Sequence, residues 1–205
     1  MQLTVFYDFL CPVCWRASRW LDTVVAHRPD IAITWRTFSL EQVNTPADST
    51  WRIWEQDGDD YLRHDGTTNW SGLHAFWAAE AVRRQSPALF DAFRAALFDA
   101  RHTQKIALNQ RAPIATVAAA CGVDMAQFTR DTHDPAVRDI IRQDYEYARA
   151  QYSCFGGPTL CFDDQNAVYV KVRDHVPASD AVALFDDIAH TFISRTYLTE
   201  LKRPN

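Results

Sequence analysis

The sequence has no apolar run approaching the ~20 residues that a membrane-crossing helix needs, so no membrane partner is expected. It also lacks a basic patch. No Lys/Arg run exceeds two residues, and 26 acidic against 21 basic side chains leave a formal net charge of −5. Nucleic-acid binding needs clustered positive charge, so no nucleic-acid partner is expected either. Repeats and low-complexity tracts are absent, and 47% hydrophobic with 23% charged residues is ordinary globular composition. The opening Met1-Gln2-Leu3-Thr4-Val5 lacks the basic, apolar and small-residue regions of a secretory signal, which gives a cytoplasmic reading. The 7 histidines form no ligand-spaced pair. Cysteine is sparse and odd in number, 5 in 205 residues, unlike the dense, even-numbered cysteines of a secreted disulfide scaffold.

What is present is one pair at diagnostic spacing, Cys11-Pro12-Val13-Cys14. Residues 2–9 read as a strand apolar on both faces, which suits a central position. After Pro12 the period becomes helical through Cys14, Ala17, Leu21 and Val24 and stops before Pro29. Residues 31–38 alternate as a second strand. The next hundred residues show helix starts and no convincing strand. Ser71 precedes Leu73 and Phe76, Ser86-Pro87 opens the Phe90 and Phe93 stripe, and Pro113 opens Ile114 and Val117. Asp124 with Gln127 forms a capping box, and Asp134-Pro135 starts the Val137 to Ala148 stripe. The segment 49–70 reads as helix and loop. A hairpin, 159–163 and 167–172 around Asp164-Gln165-Asn166, then follows Gly156-Gly157-Pro158, and a last helix begins after Ser179.

A helix starting at Pro12 or Val13 fixes the direction of the two sulfurs. Cys14 lies on the inward stripe with Ala17 and Leu21. Cys11 sits before the first turn, where unpaired N–H groups and the positive end of the helix dipole lower a thiol's pKa below about 8.5. Pro12 fits the first helical position, which needs no donor. These features predict an exposed attacking Cys11 and a shielded resolving Cys14, linked through a mixed disulfide. A structural zinc would need two further ligands, and Cys154 with Cys161 has the wrong spacing, so no metal site is expected.

Phe6-Tyr7-Asp8-Phe9-Leu10-Cys11-Pro12-Val13-Cys14-Trp15, followed by Ser18-Arg19-Trp20, resembles the DsbA-like thioredoxin-fold family of the FrnE type, including its mycothiol-dependent nitroreductase branch. Gly156-Gly157-Pro158-Thr159 is similar to the family's Gly-x-Pro-Thr segment. The stretch from Tyr197 through Arg203 is similar to the tail of the nitroreductase branch. The resemblance implies an α/β fold: a thioredoxin-like β-α-β…β-β-α domain at 1–45 and 153–205, with an all-helical insertion at 46–152. It implies a cis bond before Pro158, beside the cysteines, with the Gly157 backbone available to an extended substrate. Gly157 stands where the family often has Val or Thr, which predicts a wider pocket, and Val13 stands where Trp is frequent.

The implied activity is thiol–disulfide oxidoreduction with no bound cofactor and a low-molecular-weight thiol, mycothiol or glutathione, as co-substrate. The partners are then a disulfide-containing protein or a small-molecule electrophile, with a reducing thiol or a thioredoxin-type reductase. Asp8 has two readings: a proton shuttle for Cys14, or a carboxylate at the N-terminus of the Cys11 helix. Trp15 reads equally as groove lining and as packing. Cys154 reads as a third redox thiol near Cys11 or, more often, as a buried small hydrophobe, Cys121 reads as core, and a Cys154–Cys161 bond needs α-carbons within about 7 Å. Trp51, Trp54, Trp70 and Trp77 read as core of the insertion, or as the roof of an aromatic pocket. The acidic run at 55–60 reads as a solvated loop. Two rival classes remain. Kappa-class glutathione transferases and hydroxychromene-carboxylate isomerases resemble this architecture but typically carry Ser in place of Cys11, and a holdase would leave the cysteine motif unexplained.

Overall fold

The computed structural model describes residues 1–56, 65, 66, 72–200 and 202. Trp70, Ser71, positions 57–60 of the acidic run, and Leu201 and Arg203 of the tail lie outside the described residues. Strand β1 (Gln2–Tyr7) leads into helix α1 (Pro12–His27) and strand β2 (Ala32–Thr37). The helices α2 (Leu40–Val43), α3 (Leu73–Gln85), α4 (Pro87–His102), α5 (Arg111–Ala120), α6 (Met125–Asp131) and α7 (Pro135–Tyr152) follow. Strands β3 (Thr159–Phe162) and β4 (Asn166–Tyr169) and helix α8 (Ala181–Ser194) complete the order. Among the described residues of 49–70, the only regular element is a single 3₁₀ turn, Ile53–Glu55.

The sheet order is β2-β1-β3-β4. β1 runs parallel to β2, with Gln2 opposite Ala32 and Tyr7 opposite Thr37, and antiparallel to β3, with Leu3 opposite Phe162 and Phe6 opposite Thr159. This is the thioredoxin-like α/β plan with helices inserted between its halves. β1 is central because it is apolar on both faces. Leu3, Val5 and Tyr7 join Leu160, Phe162, α1 and α8 in the main core, while Phe6 and Cys161 face Phe38, Ala148, Tyr145 and Tyr152 on the other side. The main core runs without a break into the inserted helices, through Phe76, Phe93, Phe98 and Phe128.

The caps explain where these helices start. Ser86 Oγ accepts from Ala88 and Leu89 N–H, and Asp134 accepts from Ala136 N–H, with proline at the first turn in both helices. Asp124 caps Ala126 and Gln127 as predicted, but the box does not close. Gln127 donates to Asp131 (3.2 Å), and it is Gln85 Oε1 that accepts the Asp124 N–H (2.9 Å). Helix α5 begins at Arg111, not at Pro113; proline at its third position is tolerated because first-turn N–H groups have no intrahelical acceptor. Cys121, predicted as core, is instead half-buried at the C-cap of α5.

Two polar clamps fix the inserted helices to the sheet and to α1. Asp144 of α7 accepts from Arg36 (2.8 Å) and from the Thr37 backbone (2.9 Å). Arg94 of α4, only 2% exposed, donates to Ser18 Oγ and to Asp22 (2.6 Å) of α1, and lies 4.1 Å over the Trp35 ring. Arg94→Ala removes two charge-assisted bonds and a buried stem, and is expected to lower stability by about 3 kcal/mol in urea denaturation. Asp22→Ala, at a carboxylate whose side chain is 38% exposed, is expected to cost about 1 kcal/mol.

Candidate active site

Cys11 is the N-cap of α1, in extended conformation (φ −83°, ψ 113°), and Pro12 takes the first helical position. The Cys11 sulfur accepts the Cys14 N–H at 3.2 Å, so an amide at the helix N-terminus points at the atom that would carry negative charge. The Cys14 side chain and its backbone N–H hold the Cys11 thiol below its usual pKa against the opposing effect of burial. Cys14, 1% exposed, is pushed well above the ordinary thiol range by burial and by Cys11. The two thiols thus differ in proton affinity in the direction expected of a nucleophile and its resolving partner.

One expectation is corrected. Cys11 is not openly exposed, at 5% relative exposure, because the turn before β3 closes over it. In that turn the Gly157–Pro158 bond is cis, and the Cys11 thiol donates to the Gly157 carbonyl at 3.4 Å. A second correction concerns Gly157 itself. A β-carbon there would lie 2.9 Å from Cys14 Sγ and 3.5 Å from the Phe6 carbonyl oxygen. Glycine therefore does not widen a pocket; the volume a side chain would take is already filled by the Cys14 sulfur. Pro158 O accepts the Val170 N–H (3.1 Å) and Thr159 Oγ1 donates to Gly156 O (2.8 Å), tying the turn to β4 and to itself.

One of the two readings of Asp8 is corrected: its carboxylate does not cap the Cys11 helix. It is fully buried; Oδ1 accepts the Leu10 N–H (2.8 Å) and Oδ2 the Leu40 N–H (2.7 Å). Its carboxylate therefore sits at the first residue of α2, not at the start of α1. Only its backbone carbonyl reaches that helix, accepting the Cys11 N–H (3.1 Å). Burial pushes the Asp8 carboxyl up to about 6, the two backbone donors opposing. Its charge raises both cysteine pKa values.

Trp15 is half-buried. Its Nε1 donates to Asp99 (2.7 Å), its ring stacks on His102 at 5.2 Å, and His175 meets it edge-on at 4.8 Å. His102, held to the Phe9 carbonyl (2.9 Å), is kept neutral by burial, its pKa lowered to about 4. Trp54 packs on Tyr145, while Trp77 is buried between His74 and Arg138.

Sequence reasoning missed Phe155 and Tyr169. Phe155 is 66% exposed with its ring 5.2 Å from that of Tyr169, and Tyr169 lies against Gly156 and within the field of both active-site sulfurs. The signal was a large apolar residue directly before Gly156-Gly157-Pro158; the contribution of Tyr169 required the β3–β4 register, which sets it opposite Thr159.

A family model for the DSBA-like thioredoxin domain matches residues 2–185. An uncharacterized protein of Mycobacterium tuberculosis is 28% identical over 199 residues, covering 97% of this chain and 80% of that protein. A probable DsbA oxidoreductase from Streptomyces coelicolor superimposes with a TM-score of 0.64 at 17% identity, covering 100% of this chain and 94% of the other. The cytosolic disulfide reductase DsbM from Pseudomonas aeruginosa, solved with GSH, gives 0.65 at 16% identity over 93% and 100% of the two chains. A 2-hydroxychromene-2-carboxylate isomerase gives 0.65 at 16% identity over 98% and 100%. At these identities the structural likenesses establish the fold alone.

Two predictions follow from the site geometry. Gly157→Ala forces a β-carbon against Cys14 Sγ and is expected to cost about 1–3 kcal/mol; combined with Cys14→Ala the cost is expected to be less than additive in a double-mutant denaturation cycle. For Asp8, a folded pKa of about 6 against an ordinary value of 3.8 means its contribution is fully present below about pH 4 and is lost as pH rises through 6. The stability advantage of wild type over Asp8→Asn should therefore shrink by about 2 kcal/mol between pH 4 and 7, measured by urea denaturation at each pH.

Proposed function

Because the chain belongs to the DSBA-like thioredoxin domain family, we propose that it is a thiol–disulfide oxidoreductase working through Cys11 and Cys14. The supporting observation is the pairing of two thiols with opposite proton affinity at a helix N-terminus, the outer one aimed at a backbone carbonyl beside a cis-proline. In the reducing direction the Cys11 thiolate attacks one sulfur of a disulfide. The S–S bond breaks, the departing thiolate takes a proton, and substrate stays on Cys11 as a mixed disulfide. Cys14 then gives up its proton and attacks the Cys11 sulfur, releasing the second thiol and leaving Cys11–Cys14 oxidised. Oxidation of a dithiol substrate is the reverse.

The surroundings have roles in this reading. Once Cys11 is ionised its hydrogen bond to Gly157 O is lost, and that carbonyl is free to accept an N–H from an extended substrate, as in strand addition. Phe155 and Tyr169 offer an aromatic platform beside it. Asp8, whose charge opposes both thiolates, helps to keep Cys14 protonated until the mixed disulfide forms. Trp15 bounds the site on the α4 side. The electron donor in this reading is a low-molecular-weight thiol such as glutathione or mycothiol, or a thioredoxin-type reductase. The Pseudomonas relative, solved with GSH, supports the first of these. A cytoplasmic location accords with such a reductive role.

The test uses glutathione disulfide as substrate. Cys14→Ser should accumulate a mixed disulfide at Cys11, seen by mass spectrometry, whereas wild type resolves it. Cys11→Ser should lose turnover by about a thousandfold or more. Turnover surviving in Cys11→Ser would overturn the reading and favour an isomerase- or transferase-like activity.

A further inference from the structure

Three cysteines take no part in the reaction above, and two of them lie together. Cys154 follows the C-cap of α7, where Ser153 adopts left-handed conformation (φ 53°), and Cys161 lies on β3 opposite Thr4. Both are buried in the small core formed with Phe6, Phe38 and Ala148, on the sheet face away from Val5 and Tyr7, and each shifts the other's proton affinity. The pair is covered but shallow. Cys154 is 2% and Cys161 0% exposed, yet both chain neighbours of Cys154, Ser153 and Phe155, are exposed. Between the two cysteines runs the segment carrying Gly156, Gly157 and Pro158. Backbone bonds anchor Cys154 in place: its N–H donates to Ala148 O (3.1 Å) and its carbonyl accepts from Arg149 (2.7 Å).

We propose that Cys154 and Cys161 form a second redox pair, a dithiol that small hydroperoxides convert to a disulfide, closing a loop around the turn that presents Gly157 to Cys11. Cys154 is the attacking member: the Cys161 thiol, the Thr159 side chain and the Arg149 charge hold it below the usual thiol range, while Cys161 is raised and keeps its proton. The Cys154 thiolate attacks the outer oxygen of the hydroperoxide. The O–O bond breaks, the alcohol or water leaves with a proton, and Cys154 becomes a sulfenic acid. The Cys161 sulfur then displaces hydroxide from it, which departs as water with the Cys161 proton. Two thiols and one hydroperoxide thus give one disulfide, one alcohol or water, and one water. Its oxidant is a small hydroperoxide and its thiols are not those of Cys11 and Cys14, so it does not depend on the function proposed above.

The test exposes reduced wild-type protein, natively folded, to hydrogen peroxide, then alkylates it in denaturant and maps the disulfides of the digest by mass spectrometry. The expected result is a linked peptide pair joining Cys154 to Cys161, with both thiols lost at the same rate and Cys121 still alkylated. Cys161→Ser should lose the link and carry Cys154 to sulfinic acid. Wild type in which Cys154 overoxidises while Cys161 stays free, or in which both thiols outlast Cys121, would overturn the proposal.

Discussion

The contact between Cys14 Sγ and the backbone at Gly157 is the constraint around which the rest of the site is arranged. A β-carbon at position 157 would lie 2.9 Å from the Cys14 sulfur, so the start of α1 and the turn before β3 meet with no room for a side chain between them. This close approach lets the Cys11 thiol reach the Gly157 carbonyl and covers both sulfurs from water. It depends in turn on β1, whose pairing with β2 on one side and β3 on the other brings residues 11 and 157 together across most of the chain.

Burial and hydrogen bonding then divide the labour between two chemically identical groups. Cys11 receives an amide proton at the end of a helix beside the Cys14 side chain, which favours its anion, and Cys14 receives the full cost of desolvation, which favours its thiol. Asp8 adds a negative charge that disfavours both anions, yet it is placed there by a structural duty, holding the backbone of Leu10 and Leu40 where the chain leaves the sheet. The same carboxylate therefore serves the fold and biases the chemistry.

Much of this was legible in the order of residues. The change of period after Pro12, the caps at Ser86 and Asp134, and the doubly apolar β1 are local signals, and each led to the right element. The consequences of contact were not legible. Whether Gly157 opens space or yields it depends on where a sulfur 143 positions earlier comes to rest. The partner completing the Asp124 cap is Gln85, from another helix, a choice that no local motif encodes. Asp8 was recognised as unusual because it is a carboxylate on an apolar strand, but its acceptance of the Leu40 amide follows from the return of the chain after β2. Whether Cys154 and Cys161 meet was open in sequence, because the cis turn and the strand residues Thr159 and Leu160 lie between them and set their separation.

The central claim is that Cys11 and Cys14 form one reversible two-electron couple. Its direct measurement is equilibration of the protein against graded reduced and oxidised glutathione, with acid quenching, alkylation and mass spectrometry reading each cysteine. The account predicts that Cys11 and Cys14 lose and regain alkylation together along a single two-electron curve, with the midpoint placing the protein among reductants or oxidants. Thiols that stay reduced across the whole range, or that titrate independently of one another, would contradict it.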